Sequence, residues 1–448
     1  MSTTAKAKSE LALLGGPKTI DFDPGDMFTW PIVTKEHEEA VLAMLRAGQM
    51  SNWDVTEQFE KAYAKALGRK YALACNNGTS AIQCALYGLG VGAGDEVICP
   101  GMTFWASIAQ VYPLRATPVF AEIDRETLCI DPDDLERCIT PRTKAVVVVH
   151  YAGYPADMDR IMAIAEKHNI KVMEDCSHSH GAMYKGRETG TIGHAAGLSC
   201  MSGKSFAIGE GGIMFTDDQR VYERALLLGH YERTGNIQLE DLKPYVGLPA
   251  GGYKFRIHQL SSAMGLVQLK HYPAQMAEIA KAMNLFCDLI EGLPGVKPVR
   301  PAKGSGLTKG GWYHPLAHYD AGQLEGLSIQ RFCEALSAEG LGSHPGCNRP
   351  LHTHPLFVDM QVFGEGRPTR VANLPEGIDT SHLNRRLPIA EEINNRVFSI
   401  PWFKHHRPEV IGRYAQAVRK VVENHRDLLA GDQNRRTATG DFSTAFRR

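Results

Sequence analysis

The residues that decide the fold run from 144 to 175 and read KAVVVVHYAGYPADMDRIMAIAEKHNIKVMED. Four consecutive valines without polar alternation predict a buried strand at Lys144–His150. A helix is predicted over Asp157–His168, and KVMED predicts the next strand at Lys171–Asp175. A strand, a helix and a second strand in this order indicate two parallel strands joined by a crossover helix.

The same alternation extends toward the N-terminus. Further helices are predicted at Lys35–Ala47, Thr56–Leu67, Thr79–Leu89, Thr103–Tyr112 and Asp131–Cys138, and further strands at Glu96–Cys99 and Thr117–Ala121. The pattern predicts an α/β fold with a parallel or mostly parallel central sheet that helices cover on both faces. Because ligands bind at the carboxyl ends of the strands in such sheets, the residues after each strand are the candidates for chemistry.

The pattern changes near residue 257. A long helix is predicted from Ile257 to about Leu289, and a stretch rich in proline and glycine, GLPGVKPVRPAKGSGLTKGG, follows it. The predicted organisation is an N-terminal arm (1–31), a large domain (32–290), a smaller C-terminal α/β domain (291–430) and a disordered polar tail (431–448).

Composition excludes several classes of function. The 448 residues include 49 Lys and Arg against 50 Asp and Glu, a net charge of −1, so no general basic field attracts nucleic acid or anionic lipid. Apolar runs are too short to span a membrane or to form a signal peptide. The ten cysteines are scattered without a C-x-x-C pair, which indicates reduced packing residues. These features predict a cytoplasmic protein.

Lys204 is the first candidate catalytic residue. It lies in SCMSGKSFAIGEGGIMF, where serine, glycine and alanine surround it and a Gly-Glu-Gly-Gly turn follows. An enclosed turn of this kind would partly desolvate the amine, and a desolvated lysine is a candidate for Schiff-base chemistry. An ordinary exposed lysine is the alternative interpretation.

Asp175 places a carboxylate at the end of a predicted strand, with Cys-Ser-His-Ser-His directly after it. Capping of a following helix is the alternative role for this carboxylate. His178 and His180 could bind a metal, but Asp175 is the only further ligand nearby, so we predict no metal site.

Asn77-Gly78-Thr79-Ser80 opens the clearest predicted helix and suits a phosphate, because free backbone amides and the helix dipole favour an anion there. Simple helix capping is the alternative. The run GLGVGA at 88–93 resembles a dinucleotide fingerprint, but it follows a helix and precedes a strand. This order is wrong for a Rossmann dehydrogenase.

Together these features match the needs of one cofactor, pyridoxal phosphate (PLP). It requires a lysine for its aldehyde, a carboxylate beside its pyridine nitrogen, a phosphate cradle and a flat group over its ring. Phe104, which follows the strand ending near Cys99, is the candidate for the flat group, with a core aromatic as the alternative.

The order of five motifs is specific: NNGTSAIQCAL, GDEVICPGMTFWAS, EDCSHSHGA, S-x4-K-x4-GEGG and GYKFRIHQLSSAMGLVQL. Over roughly residues 10 to 430 the chain resembles the DegT/StrS family of sugar aminotransferases, which are fold type I PLP-dependent transferases. The resemblance implies that the large domain binds PLP.

The resemblance also implies roles for single residues. Lys204 would bond the cofactor aldehyde and move the proton between carbons, Asp175 would pair with the pyridine nitrogen, and His178 would lie near the ring oxygen. Phe104 would stack on the ring. The positions that match the phosphate-binding residues are Gly78, Thr79, Ser80 and Ser199. Where the family has asparagine in Gly-Tyr-Asn-Tyr-Arg, this chain has Lys254. That asparagine reaches the phosphate from the partner subunit, so a homodimer with a shared active site is implied.

The implied function is transfer of an amino group from L-glutamate or L-glutamine to a keto-sugar, nucleotide-linked or free, or to a keto-cyclitol. The reaction would be ping-pong through pyridoxamine phosphate and would serve amino sugar biosynthesis. His178 with His180-Gly181-Ala182, and the Ser-Gly before Lys204, resemble the subgroup of scyllo-inosose aminotransferase and aminohydroxybenzoate synthase, whereas nucleotide-sugar aminotransferases share the same core. A PLP-dependent sugar dehydratase, whose relatives have histidine at the lysine position, and a non-catalytic PLP-binding regulator are the alternatives. Expected substrate contacts, each with packing as an equal alternative, are His150, Tyr151, Arg256 and Trp30.

Overall fold

A seven-stranded sheet organises the computed structural model, which describes residues 9–432. The strands are β1 (Tyr71–Cys75), β2 (Glu96–Pro100), β3 (Thr117–Ala121), β4 (Thr143–Val149), β5 (Lys171–Asp175), β8 (Ala195–Ser199) and β9 (Gly212–Thr216). Their order is β1-β9-β8-β5-β4-β2-β3. A two-stranded hairpin, β6 (Met183–Tyr184) and β7 (Arg187–Glu188), stands apart from this sheet.

The sheet is mostly parallel, as predicted. The pairs β2–β3, β2–β4, β4–β5 and β5–β8 are parallel, whereas β9 runs antiparallel to both β8 and β1. Strand β1 therefore has the same direction as β8. Six of the seven strands consequently end at one edge of the sheet, and the loops that follow them converge there.

Helices cover both faces of the sheet. The helices are α1 (Lys35–Ala47), α2 (Asp54–Leu67), α3 (Gly78–Gly88), α4 (Pro132–Arg137), α5 (Met158–His168), α6 (Gln219–Gly229), α7 (Gln259–Ile290), α8 (Ile329–Ala338), α9 (Pro355–Val358), α10 (Thr369–Ala372), α11 (Pro388–Glu392), α12 (Pro408–Glu423) and α13 (Arg426–Leu429). Alternate residues of β1 enter opposite cores: Leu73 packs in one hydrophobic cluster, Ala72 and Ala74 in the other. This two-residue period is what a strand buried on both faces requires.

The helix predicted over Thr103–Tyr112 is wrong. Two short 3-10 helices, Trp105–Ser107 and Ala109–Val111, occupy this segment, with Ile108 at φ −133° between them. Aromatic and β-branched residues give the segment a low helix propensity. Its backbone instead follows tertiary contacts, among them a hydrogen bond from Ser107 to Asp175.

A second, antiparallel sheet lies in the C-terminal part of the chain. Its strands are β10 (Val296–Pro298), β11 (Leu316–Tyr319) and β12 (Val397–Ser399). Helix α7, predicted from Ile257 to Leu289, has 32 residues with Pro273 inside it and contacts α1, α2 and α12. It therefore connects the two sheets through packed side chains along much of its length.

A buried carboxylate binds the first part of the predicted N-terminal arm. Glu339 accepts hydrogen bonds from the backbone amides of Ala12 and Thr19, from the Thr19 hydroxyl and from Lys420. Residues 1–8 of the arm and 433–448 of the predicted tail lie outside the described residues. The structure describes two residues of the predicted tail, 431 and 432, and Asp432 accepts hydrogen bonds from the amide and hydroxyl of Ser328. Within residues 9–432, no helix combines the length and the apolar character that crossing a membrane demands.

Candidate active site

The first element of the site is the N-terminus of α3. Asn77 caps this helix, with its Oδ1 accepting a 2.8 Å hydrogen bond from the amide of Ser80. A Cβ at Gly78 would lie 2.6 Å from Cβ of Ser199, and one at Gly212 would lie 2.4 Å from the Asn77 carbonyl carbon. Only glycine permits these approaches, so the helix begins directly against the end of β8 and the start of β9. Ser80 is buried, whereas Thr79 and Ser199 are half-buried.

The second element is the carboxylate that ends β5. Asp175 is 3% exposed; its Oδ2 accepts a 2.7 Å hydrogen bond from Ser107 and its Oδ1 a 3.0 Å bond from the amide of Ser177. Turns follow Asp175, so its alternative role as the cap of a following helix is wrong. Two donors therefore fix a buried carboxylate at the carboxyl edge of the sheet.

The third element is Lys204, five residues after the end of β8. Its side chain is buried, which overturns the alternative of an ordinary exposed lysine, and Nζ lies 3.9 Å from the ring centroid of Tyr313. Its backbone carbonyl accepts a 2.9 Å hydrogen bond from the indole N–H of Trp30. The N-terminal arm of the same chain thus closes one side of the lysine turn.

Two buried histidines stay neutral beside this lysine. Burial, with the charges of Lys204 and neighbouring histidines in addition, lowers the pKa of His178 well below its usual value. Burial and Lys204 lower the pKa of His180 to about 3. Nδ1 of His178 accepts the amide hydrogen of Ala152 at 3.3 Å, so the neutral ring carries its proton on Nε2. Nε2 of His180 donates to the carbonyl of Ser199 at 2.9 Å.

A different group has the donor types of a metal site. Atoms of His150, Glu174 and Cys176 lie within 4.8 Å of one another, and all three residues are buried. Glu174, however, already accepts hydrogen bonds from the amides at 190, 192 and 193 and from Nε2 of His150. These donors lower the pKa of Glu174 against the opposing effect of burial. The group is therefore explained as a hydrogen-bonded core network.

The expected substrate contacts divide into two kinds. His150 and Tyr151 are fully buried, with His150 bonded to Glu174 and the Tyr151 hydroxyl donating to Asn348 at 2.6 Å. These contacts fit the alternative role of both residues, which is packing in the core. Trp30 lies at the site, as the bond to Lys204 shows, and the guanidinium of Arg256 lies 3.9 Å from Glu232.

The side chains of Phe104 and Lys254 each lie beside an aromatic ring. Phe104 is half-buried and packs on Trp105 with ring centroids 4.9 Å apart. Lys254 is exposed, and its amine lies 5.9 Å from the ring centroid of Tyr231. Next to Lys254, the carbonyl of Phe255 accepts the amide hydrogen of Asn76, so this segment runs beside the start of α3.

Sequence reasoning missed the aromatic wall of the site. Tyr313 lies between Lys204 and His178, whose ring is tilted by 47° with its centroid 4.6 Å away, and meets Trp402 edge-on at 5.6 Å. Trp312 and His314, on either side of Tyr313, both have φ of +54°. Non-glycine residues rarely adopt this conformation, and it clusters at functional sites. The Gly-Gly before Trp312 was the one available signal. A cavity of about 650 Å³ is lined by Tyr313 and Trp402 together with the N-terminal arm.

Comparison with known proteins identifies the relatives of this chain. Residues 31–419 match the DegT/DnrJ/EryC1/StrS aminotransferase family. The spore coat polysaccharide biosynthesis protein SpsC of Bacillus subtilis is 37% identical over 403 residues, covering 88% of this chain and 97% of SpsC. The L-glutamine:scyllo-inosose aminotransferase of Streptomyces griseus is 31% identical over 442 residues, covering 94% and 99% of the two chains.

The fold has close structural counterparts. The structure of DesI in the presence of its TDP-sugar product aligns with a TM-score of 0.77 at 28% identity, covering 96% of this chain and all of DesI. The fold is therefore that of the fold type I PLP-dependent transferases. The chain belongs to the DegT/DnrJ/EryC1/StrS aminotransferase family and is an aminotransferase with pyridoxal phosphate as its cofactor.

Proposed function

We propose that this aminotransferase moves an amino group from L-glutamate or L-glutamine to the ketone of a sugar or cyclitol, with Lys204 as the reacting lysine. One observation carries the proposal: the buried amine of Lys204, the buried carboxylate of Asp175 and the N-terminus of α3 all lie at the edge where six strands end. This is the set of groups that PLP requires.

The residues present fit the cofactor. Gly78 and Gly212 let the start of α3 approach Ser199, so the helix amides and the hydroxyls of Thr79, Ser80 and Ser199 form the cradle for a phosphate. Phe104 supplies the flat group over the ring. We also keep the division into an arm, a large PLP-binding domain at 32–290 and a small domain at 291–430 as part of this proposal.

Bound PLP supplies an aldehyde for the amino group and an electron-withdrawing ring, and the protein positions both. Asp175, held by Ser107 and Ser177, provides the negative charge that keeps a pyridine nitrogen protonated. Neutral His178 would offer its Nε2–H to the ring oxygen. The amine of Lys204 would take and return the proton at the substrate carbon.

The acceptor and donor classes come from the relatives. The Streptomyces enzyme is named for glutamine and scyllo-inosose, and DesI was solved with a TDP-sugar. The buried Lys204 disfavours the dehydratase alternative, and it disfavours the regulatory alternative because pure binding does not require this lysine.

The test adds glutamate, glutamine and alanine separately to the PLP-loaded protein and follows the visible absorption of the cofactor. Loss of this absorption with glutamate or glutamine, and its recovery with one class of ketone, supports the proposal. Absorption that survives all three amino acids contradicts it.

We further propose a homodimer in which Lys254 serves the partner's site. Exposed apolar side chains lie around α1 and in the loop before Lys254, as expected of a surface that another chain covers; they are Leu42, Leu45, Met50, Trp53, Tyr245, Val246 and Leu248. Mixing inactive Lys204→Ala and Lys254→Ala proteins tests this sharing. A mixed dimer regains one intact site only if Lys254 acts across the interface, and absence of recovery contradicts the shared site.

A further inference from the structure

A second buried lysine contacts Trp30, the residue whose indole is bonded to the backbone of Lys204. Lys404 is 3% exposed, and among the described residues no acceptor lies within hydrogen-bond distance of its Nζ. Its backbone amide is fixed by the carbonyl of Met27 at 3.0 Å, so the chain is held firmly where the side chain enters the interior.

An amine in this position is costly to the free protein. Three potential hydrogen-bond donors are removed from water without replacement, and no carboxylate within residues 9–432 accepts from them. Burial alone lowers the pKa of Lys404 to about 5. The amine of Lys309 differs from that of Lys404 in its hydrogen bonding. Lys309 is equally buried against a tryptophan, Trp312, but its Nζ donates to the carbonyl of Val299 at 2.7 Å.

A series of aromatic contacts connects Lys404 with the reacting lysine. Its amine lies against the ring of Trp402 and 4.9 Å from the ring centroid of Trp30. Trp30 donates to the backbone of Lys204, and Trp402 meets Tyr313, whose ring contacts Nζ of Lys204. Trp30 and Trp402 thus lie beside the amine of Lys404, Tyr313 lies beside the amine of Lys204, and the contact between Tyr313 and Trp402 joins the two groups.

We propose that Lys404 is the anion anchor of the active site and that it pairs with a carboxylate of the amino donor. This inference rests on the proposed function, because glutamate and glutamine both carry a carboxylate next to the amino group that reacts. A carboxylate supplies the missing acceptor and the missing counter-charge together. Aromatic faces on two sides stabilise the ammonium while they exclude water. Lys404 would therefore position the donor, whereas Lys204 would react with it.

The test measures binding without reaction. Glutarate, a dicarboxylate that lacks an amine, is titrated into PLP-loaded protein while tryptophan fluorescence is followed, since Trp30 and Trp402 flank the anchor. We expect the dissociation constant of glutarate to rise at least 30-fold in Lys404→Met and to stay within about tenfold in Lys404→Arg. Lys309→Met is the matched control and should change it less than threefold.

Two further test ligands distinguish the possible sources of an anion. Inorganic phosphate represents a nucleotide-linked acceptor, and myo-inositol represents an uncharged one; neither should depend on Lys404. The inference is overturned if glutarate binding is unchanged in Lys404→Met or equally weakened in Lys309→Met. It is also overturned if Lys404→Met loses more phosphate binding than glutarate binding. If Lys404→Met does not fold, the Arg variant and thermal stabilisation of the wild type by glutarate decide. Glutarate binding that needs Lys404 in a protein without transaminase activity keeps the anchor and rejects the proposed function.

Discussion

The hydroxyl of Ser107 donates a 2.7 Å hydrogen bond to Oδ2 of Asp175, across 68 residues of sequence. Both residues are nearly inaccessible to solvent, at 3% exposure each. Ser107 ends a 3-10 turn after β2, and Asp175 ends β5, so the bond joins the segment after β2 to the end of β5 at the same sheet edge. It sets the orientation of the carboxylate that the proposal places beside the pyridine nitrogen.

Removing that hydroxyl should weaken catalysis without unfolding the protein. A hydrogen bond to a charged group contributes roughly 1.5–3 kcal/mol, so Ser107→Ala should lower kcat/KM about 10-fold or more. Thr103→Val is the control, since the Thr103 hydroxyl contacts Ser107 at 3.2 Å and leaves Asp175 untouched. Steady-state kinetics of both variants decide, and an equal loss in both would show that the bond to Asp175 is not the cause.

The cradle at α3 should tolerate no side chain at Gly78. A Cβ there would lie 2.6 and 2.7 Å from the Cβ and Cα of Ser199, so backbone must move. We expect Gly78→Ala to weaken PLP binding at least about tenfold, or about 1.4 kcal/mol, as measured by equilibrium dialysis of the apoprotein. Gly92→Ala, where a Cβ meets nothing within 4 Å, should bind PLP normally. Normal PLP binding by Gly78→Ala would contradict the proposed phosphate cradle.

The face of Tyr313 rather than its hydroxyl should matter to Lys204. Because Nζ lies 3.9 Å from the ring centroid, Tyr313→Phe keeps the contact, whereas Tyr313→Ala loses it and opens the site to water. Contacts of this type contribute roughly 0.5–2 kcal/mol. Tyr313→Phe should therefore stay within about threefold of wild type in kcat/KM, and Tyr313→Ala should lose about tenfold. A large loss in Tyr313→Phe would assign the role to the hydroxyl.

Glu339 should make attachment of the N-terminal arm dependent on pH. Burial raises the pKa of this carboxyl, but hydrogen bonds from Ala12, Thr19 and Lys420 outweigh burial and lower it. A lowered pKa in the folded state means that the stabilisation exists above the unfolded value, about 4.3, and disappears as pH falls through the folded value. Glu339→Gln should thus lower Tm at pH 7 and approach wild type in acid. A gap between the two proteins that stays constant with pH would contradict this.

Sequence patterns predicted the features that depend on neighbours in the chain. The valine run gave β4, and the small residues around Lys204 indicated an enclosed turn, which the 9% exposure of this lysine confirms. Asp175 was found because it ends a strand. Each of these signals is a local property, since burial on both faces and tight turns leave their mark within a few residues.

The features that escaped prediction depend on contacts between distant segments. Tyr313 meets Lys204 across 109 residues, and Lys404 belongs to a segment after β12 that no periodicity connects with the large sheet. Nothing near Ser107 in the chain distinguishes it from a helical serine. Its role follows from the strand order β5-β4-β2, which brings the loop after β2 to Asp175.

The central claim, that Lys204 bonds the cofactor, is tested most directly by trapping that bond. Borohydride reduces the carbon–nitrogen bond between PLP and its lysine to a stable one, and peptide mass mapping then locates the added mass. We expect the cofactor on the peptide that contains Lys204, and none on Lys404 although both amines are buried. Cofactor mass on Lys404, Lys309 or Lys254, or equal labelling of a Lys204→Ala protein, would contradict it.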